Sequence, residues 1–236
     1  MQRPIALLLA AAAAAAQAQD IDTTTAWNGS STVGGFGGTA TYGQTITAPP
    51  GNNRLVDFSF YIDARGMSLP FRAAVYAWDT AQQHAVGNAL WQSEPVTITG
   101  DVTGDSGAML EYAFTPPGGV PLVAGQTYVL LGTTVYDGAG GPVEWGWMTG
   151  DPYGGGSFVY QASATPASLT DTPWAGWSVS DLAFKTSFAA AAPPPPPIPQ
   201  AAPTPVPGLH GAGLPLLALA LGSAAWRMRW RRNRPR

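Results

Sequence analysis

The sequence predicts an all-β fold, an antiparallel jelly-roll-like β-sandwich. Three observations predict it. Short runs alternate apolar and polar residues with period 2. Gly (29) and Pro (23) are abundant among the 236 residues and separate these runs at fairly even spacing. Between residues 20 and 188 no window carries a convincing helical period. A closed barrel is the competing architecture. The sandwich is expected to be followed by a Pro-rich linker and one C-terminal transmembrane helix.

The strands are read in order. Thr41–Thr47 is closed by the turn-rich Pro49-Pro50-Gly51-Asn52-Asn53. In Arg54–Asp63, Val56, Phe58, Phe60 and Ile62 share one face, and Asp57, Ser59, Tyr61 and Asp63 the other. In Phe71–Trp78, Phe71, Ala73, Val75 and Ala77 oppose Arg72, Ala74, Tyr76 and Trp78. Further runs are Val96–Thr99, Leu110–Thr115, Gln126–Val135, Val143–Met148, Ser157–Gln161 and Asp181–Phe188, the last with Leu182, Phe184 and Phe188 on one face. Gly34–Gly38, Gly138–Pro142 and Asp151–Gly156 mark loops.

The two ends read as targeting segments. Arg3, the apolar run of 12 residues from Ile5 to Ala16, and Ala16-Gln17-Ala18 make a secretory signal peptide, residues 1–18, whose apolar stretch is too short to span a bilayer. The sandwich takes residues 19–188. Residues 189–207 form a linker with nine prolines between 193 and 207, which favours an extended rod of about 45 Å. Leu209–Trp226 is an apolar stretch of 18 residues, about 27 Å as a helix and enough for a thin hydrocarbon core. The basic tail, residues 227–236, carries Arg227, Arg229, Arg231 and Arg232 as a cytoplasmic membrane stop, so the body faces outward.

Charge separates the body from its ends. From Asp20 to Phe188 four basic residues stand against all 14 acidic ones, a net charge of −10, although the whole chain carries only −3. Such a body repels phosphate polymers and is not expected to bind nucleic acid. With Cys at 0 there are no disulfides, no thiolate chemistry and no Cys-ligated metal.

The order of Pro-containing motif, apolar helix and arginine cluster resembles the C-terminal sorting signals of the PEP-CTERM type. Within that group, Val206-Pro207-Gly208-Leu209, followed by Gly213-Leu214 and Leu216-Leu217, is similar to the IPTL-CTERM variant. Gly208 stands where that variant has Thr, Ala212 where it has Trp, and Pro215 is an intrusion. The resemblance spans residues 206–236. It implies an exosortase-type sorting enzyme as partner, processing near Val206–Leu209, and delivery to the cell envelope, outer surface or exterior of a Gram-negative bacterium. An unprocessed single-span anchor is the alternative. In the body, Thr41-Tyr42-Gly43-Gln44-Thr45, Phe71-Arg72-Ala73, Val75-Tyr76-Ala77-Trp78-Asp79 and Ala124-Gly125-Gln126-Thr127-Tyr128 are similar to a bacterial extracellular β-sandwich module. That likeness implies fold and location and carries no activity.

Catalytic patterns are weak. Gly104-Asp105-Ser106-Gly107 resembles a protease serine motif, but His84 is the body's sole histidine and lies only 22 residues away, so a polar turn is the simpler reading. His84, beside Gly87-Asn88, reads as a solvated loop residue. Asp101, Asp105 and Glu111, flanked by glycines, are candidate Ca²⁺ ligands, because loop carboxylates and carbonyls supply the oxygens that calcium takes. Plain surface charge is the simpler reading, and no other cofactor is expected. Trp145 and Trp147 share parity and therefore one strand face. With Tyr153 and Trp174 they could form an apolar platform for sugar rings. Core packing is the competing reading.

These readings describe an exported, non-catalytic envelope or matrix protein. Its partners would be signal peptidase, the sorting enzyme and the membrane. A carbohydrate-binding module acting on extracellular polysaccharide is the alternative, and a hydrolase ranks last.

Overall fold

The computed structural model describes residues 20–29, 32–36, 38–99, 109–138 and 140–190. In chain order the strands are β1 (Ile21–Asp22), β2 (Thr32–Gly34), β3 (Thr41–Thr47), β4 (Arg54–Asp63), β5 (Ser68–Asp79), β6 (His84–Gln92), β7 (Val96–Thr99) and β8 (Leu110–Phe114). Then follow β9 (Val120–Pro121), β10 (Thr127–Thr133), β11 (Glu144–Thr149), β12 (Phe158–Gln161), the one-turn helix α1 (Ser168–Asp171), β13 (Ala175–Trp177), β14 (Ser180–Leu182) and β15 (Phe184–Ala189). All pairings are antiparallel. Sheet 1 runs β1-β15-β4-β11-β14, with β2 on β11 and β8 and β9 on β4. Sheet 2 runs β13-β12-β3-β10-β5-β6, with β7 on β5.

The sheets pack face to face through the side chains that period 2 turns inward. Phe58, Phe60, Ile62, Leu182, Phe184 and Phe188 from sheet 1 share one core with Ile46, Phe71, Val75, Leu130 and Phe158 from sheet 2. Trp145 of β11 sits within it, ring centroids 5.1–6.4 Å from Phe36, Tyr42, Phe60 and Phe71. Each such aromatic removed from water contributes roughly 1.5–3 kcal/mol. The β4 alternation carries one correction. Ser187 pairs with Asp57 but Phe188 pairs with Leu55, so Val56 is skipped at a bulge. Leu55 is therefore the fully buried residue there, and Val56 is only half-buried.

The central strands of sheet 2 are buried on both faces, which the expected alternation did not include. Ala74, Tyr76 and Trp78 of β5, Val129 and Leu131 of β10, and Val159 of β12 form a second cluster beneath Val135, Leu169 and Trp174. The physical reason lies in the sequence: Ala73–Trp78 and Tyr128–Leu131 are apolar at both parities, and a strand of that kind needs cover on both sides. The cover is the segment containing α1, a helical turn that the periodicity did not announce. Two further differences follow from pairing. His84 opens β6 and is not a loop residue. The run Asp181–Phe188 is interrupted at Ala183, whose N–H donates to Gly146 O at 2.8 Å; the half before it pairs with β11 and the half after it with β4.

Among the described residues no helix is long and apolar enough to cross a membrane. The expected signal peptide, the linker beyond Ala190 and the apolar segment 209–226 lie outside the described residues.

Candidate functional site

A surface cleft lies where the β13 edge of sheet 2 faces β11 and β14 of sheet 1. Pairing sets its geometry. Trp177 pairs with Phe158 across β13–β12, Trp147 with Leu182, and Thr149 with Ser180 across β11–β14. Residues 178 and 179 carry the chain from one sheet to the other, and Gly150 N donates to Val179 O at 3.0 Å. Gly176 admits no side chain, because a Cβ there would lie 2.8 Å from Phe158 O. This close approach holds Trp177 against Phe158 (5.5 Å between ring centroids) and Tyr160 (6.3 Å). Trp147 and Trp177 then meet with centroids 5.3 Å apart and planes at 67°.

The result is a shallow cleft of about 400 Å³ lined by Trp147, Thr149, Gly150, Trp177, Val179 and Ser180. Its wall is almost wholly apolar. Trp177 is 44% exposed and Val179 68%, both unusual for such side chains when they serve only as core. Ser180 Oγ donates to Trp177 O at 3.0 Å, which stiffens the crossing. Trp147 Nε1 is buried with no hydrogen-bond partner. Chemically, the cleft can hold an apolar group and shed water.

Behind the cleft a polar group ties the two sheets together. Asp181 is fully buried. Gln44 Nε2 donates to its Oδ1 at 2.7 Å, and Tyr153 N donates to its Oδ2 at 3.0 Å. Gln44 Oε1 in turn accepts from Leu182 N at 2.9 Å. Burial pushes the Asp181 carboxyl from its ordinary 3.8 up to about 6, the hydrogen bonds from Tyr153 and Gln44 oppose this, and the nearby Asp151 charge adds to it.

The sugar-platform expectation is corrected at two of its four residues. Trp145 is fully buried in the sandwich core. Trp174 is also buried: it meets Trp78 edge-on at 5.4 Å and donates from Nε1 to Leu169 O at 3.0 Å, pinning the outer cover of sheet 2. Tyr153 is half-buried; its hydroxyl accepts from Thr47 N at 3.0 Å, and its ring lies 5.9 Å from Phe184. Trp147 reaches the cleft. Trp145 and Trp147 do share the inward face, but the sandwich is closed over the first and open beside the second. Trp177, which the expected platform omitted in favour of Trp174, is the exposed indole. The Gly176-Trp177-Ser178 setting is the one sequence signal that could have found it, since Trp177 sits among small and polar neighbours.

Glu111, an expected calcium ligand, is engaged elsewhere. On the outer face of sheet 1 it accepts from Ser59 Oγ at 2.7 Å and pairs with Lys185 Nζ at 3.3 Å. Lys185 lies 5.4 Å from the centre of the Tyr61 ring, and the Trp27 ring packs against the same tyrosine at 5.4 Å between centroids. Burial opposes ionisation of Glu111, but hydrogen bonds from Ser59 and Tyr61 and the Lys185 charge outweigh it and hold the carboxyl below its usual range. Asp137 is likewise bridged, 3.3 Å from Arg72. Among the described residues no three His, Asp or Glu side chains gather as a metal site. Asp101 and Asp105 lie outside the described residues, as do Ser106, Val206, Pro207, Gly208, Leu209, Arg227, Arg229, Arg231 and Arg232. His84 is held locally, Nε2 within 2.9 Å of Gln82 Oε1 and Nδ1 within 2.7 Å of Ala85 O.

Comparison with known protein families finds no model that matches the chain, and comparison with curated proteins finds no significant match.

Proposed function

We propose that this chain is an exported, envelope-directed β-sandwich protein of jelly-roll-like topology that works by binding and not by catalysis. The observation that supports the reading most is where the fold closes. Among the described residues the last strand ends at Ala189, and the Pro-rich run starts at Pro193. The buried core of the described residues runs from Phe36 to Phe188, ahead of the rod, the apolar stretch and the arginine cluster. Those segments are then free to act as a sorting signal read by an exosortase-type enzyme, with a single transmembrane helix over 209–226 and the body outside. Intact mass of the protein recovered from cells and from medium tests this. A species beginning near Gln19 and ending near residue 206 is expected. A species still beginning at Met1 and confined to the cytosol refutes export, and one ending at Arg236 in the membrane refutes processing.

A second reading, glycan binding, is favoured by the exposed indole of Trp177 beside Trp147. It gives an envelope protein a ligand for its cleft, since an indole face matches the apolar face of a sugar ring. Retention of the protein on immobilised polysaccharide tests it.

A further inference from the structure

The sequence holds one Asp–Pro bond, Asp151–Pro152, in the loop that joins β11 to β12. Such a bond has a built-in route to scission. The aspartate carboxylate can close a five-membered ring on its own backbone carbonyl, and the tertiary amide nitrogen of proline leaves once it receives a proton. In an ordinary chain only strong acid supplies that proton. A carboxyl placed beside the bond supplies it at milder pH.

The loop is held on both sides of the bond. Gly150, at φ +100°, donates from N to Val179 O at 3.0 Å. Tyr153 donates from N to Asp181 Oδ2 at 3.0 Å, and its hydroxyl accepts from Thr47 N at 3.0 Å. Asp151 and Pro152, between these anchors, are exposed, so water reaches the bond. Pro152 N lies roughly 3–3.5 Å from Tyr153 N along the backbone. Asp181 Oδ2 is therefore within the reach of one bridging water from the leaving nitrogen.

Hydrogen bonding decides which oxygen of Asp181 carries a proton. Leu182 N donates to Gln44 Oε1 at 2.9 Å, which fixes that amide with Nε2 toward Asp181 Oδ1 at 2.7 Å. Oδ1 thus meets a donor that cannot turn round, and the proton goes to Oδ2, on the side of the Pro152–Tyr153 backbone. Two carboxyls stand at one bond in opposite settings, Asp151 exposed and Asp181 fully buried. The Asp151 charge adds to the burial that raises the Asp181 carboxyl to about 6. Such a split makes the ionised group the nucleophile and the buried one the acid. Around Asp181, Gln44 comes from β3, Met148 from β11, and Tyr153 and Asp151 from the loop. β12, which also packs on β14, brings only Tyr160 as a titrating group.

We propose that the chain cuts itself once, at Asp151–Pro152, in mild acid. An Asp151 carboxylate oxygen bonds to the Asp151 carbonyl carbon, the C–N bond to Pro152 breaks, and the Asp181 proton passes to the Pro152 nitrogen. Water opens the cyclic anhydride left on Asp151, and the two protons released go to Asp181 and to the new amine. The products are a carboxyl end at Asp151 and an amino end at Pro152, and water alone is consumed. The two pieces stay together, because β12 remains paired with β3 and β15 with β4 across the cut. This single event on the chain itself goes beyond the binding role proposed above.

The test incubates the purified full-length protein between pH ~4 and pH ~8 and reads intact mass after denaturation. Paired masses that divide the chain between Asp151 and Pro152 are expected. They should accumulate faster as pH falls through about 6 and stay scarce at neutral pH. The folded chain should be cut about tenfold or more faster than the same chain in urea at the same pH, which separates a built site from ordinary lability. Asp151→Ala should abolish scission. Asp181→Asn should slow it about tenfold or more, with an unchanged far-ultraviolet circular dichroism spectrum. A wild-type chain that stays whole across the range, or breaks as fast in urea as when folded, overturns the proposal. So does a folded Asp181→Asn protein that keeps the wild-type pH profile.

Discussion

Carry the protein from neutral toward acid pH, and Asp181 takes up its proton earlier in the folded chain than in the unfolded one. Its carboxyl is raised from 3.8 to about 6 by burial between the sheets. The folded state therefore binds more protons between those two values, and stability rises as pH falls through that window. The contribution is complete below 3.8 and lost above about 6. A shift of roughly two units corresponds to about 3 kcal/mol over the whole window, of which about 2 kcal/mol separates pH ~7 from pH ~4.5. Glu111 and Asp79 work the other way. Both are held below their ordinary values, Asp79 chiefly by backbone hydrogen bonds from Gln82 and Ala81, and they lose their contributions on acidification. The informative quantity is therefore the difference between wild type and Asp181→Asn, which keeps the shape but cannot titrate. Urea unfolding followed by tryptophan fluorescence should show wild type gaining about 2 kcal/mol more than the variant between pH ~7 and pH ~4.5. If the two proteins move in parallel, Asp181 does not carry a strained charge and the account of the buried Gln44–Asp181 pair is wrong.

Other outcomes follow from packing. Trp145→Ala should cost about 3–5 kcal/mol in denaturant unfolding. Trp145→Phe should cost clearly less, because the buried Nε1 of Trp145 has no partner to lose. Trp174→Ala should expose the outer face of sheet 2 and cost about 3 kcal/mol or more, with faster amide exchange in residues 162–174 as its local signature. Gly156→Ala should prevent normal pairing of β12 with β3, since a Cβ there would stand 1.7 Å from Thr45 O, a backbone atom that cannot move aside; loss of soluble folded protein on expression checks it. Lys185→Met should change stability by less than about 1 kcal/mol, because its pair with Glu111 is exposed.

The legible parts of the fold were those where burial follows local parity. β3 runs Thr41–Thr47, and β4 and β5 turn Phe58, Phe60, Ile62, Phe71 and Val75 inward, as period 2 requires. Parity could not show that Val56 is bypassed, because the bulge is decided by the partner β15. Nor could it show that Tyr76 and Trp78 lie under a distant segment and not in solvent; the burial of their face depends on Leu169 and Trp174, about ninety residues away. The candidate site failed for the same reason. The setting of Trp177 between Gly176 and Ser178 is only a hint, and the way two sheets meet along one edge decides that Trp177 is open while Trp145 is sealed. Glu111 looked like a ligand among glycines because Lys185, its partner across β4, is remote in sequence.

The last of the described strands to leave the ribosome is an interior one. β15 lies between β1 and β4 and brings Phe184 and Phe188 into the core, so sheet 1 cannot close until nearly the entire body has been synthesised. Folding of the sandwich is thus held back by topology alone until residues 184–189 are available to complete sheet 1.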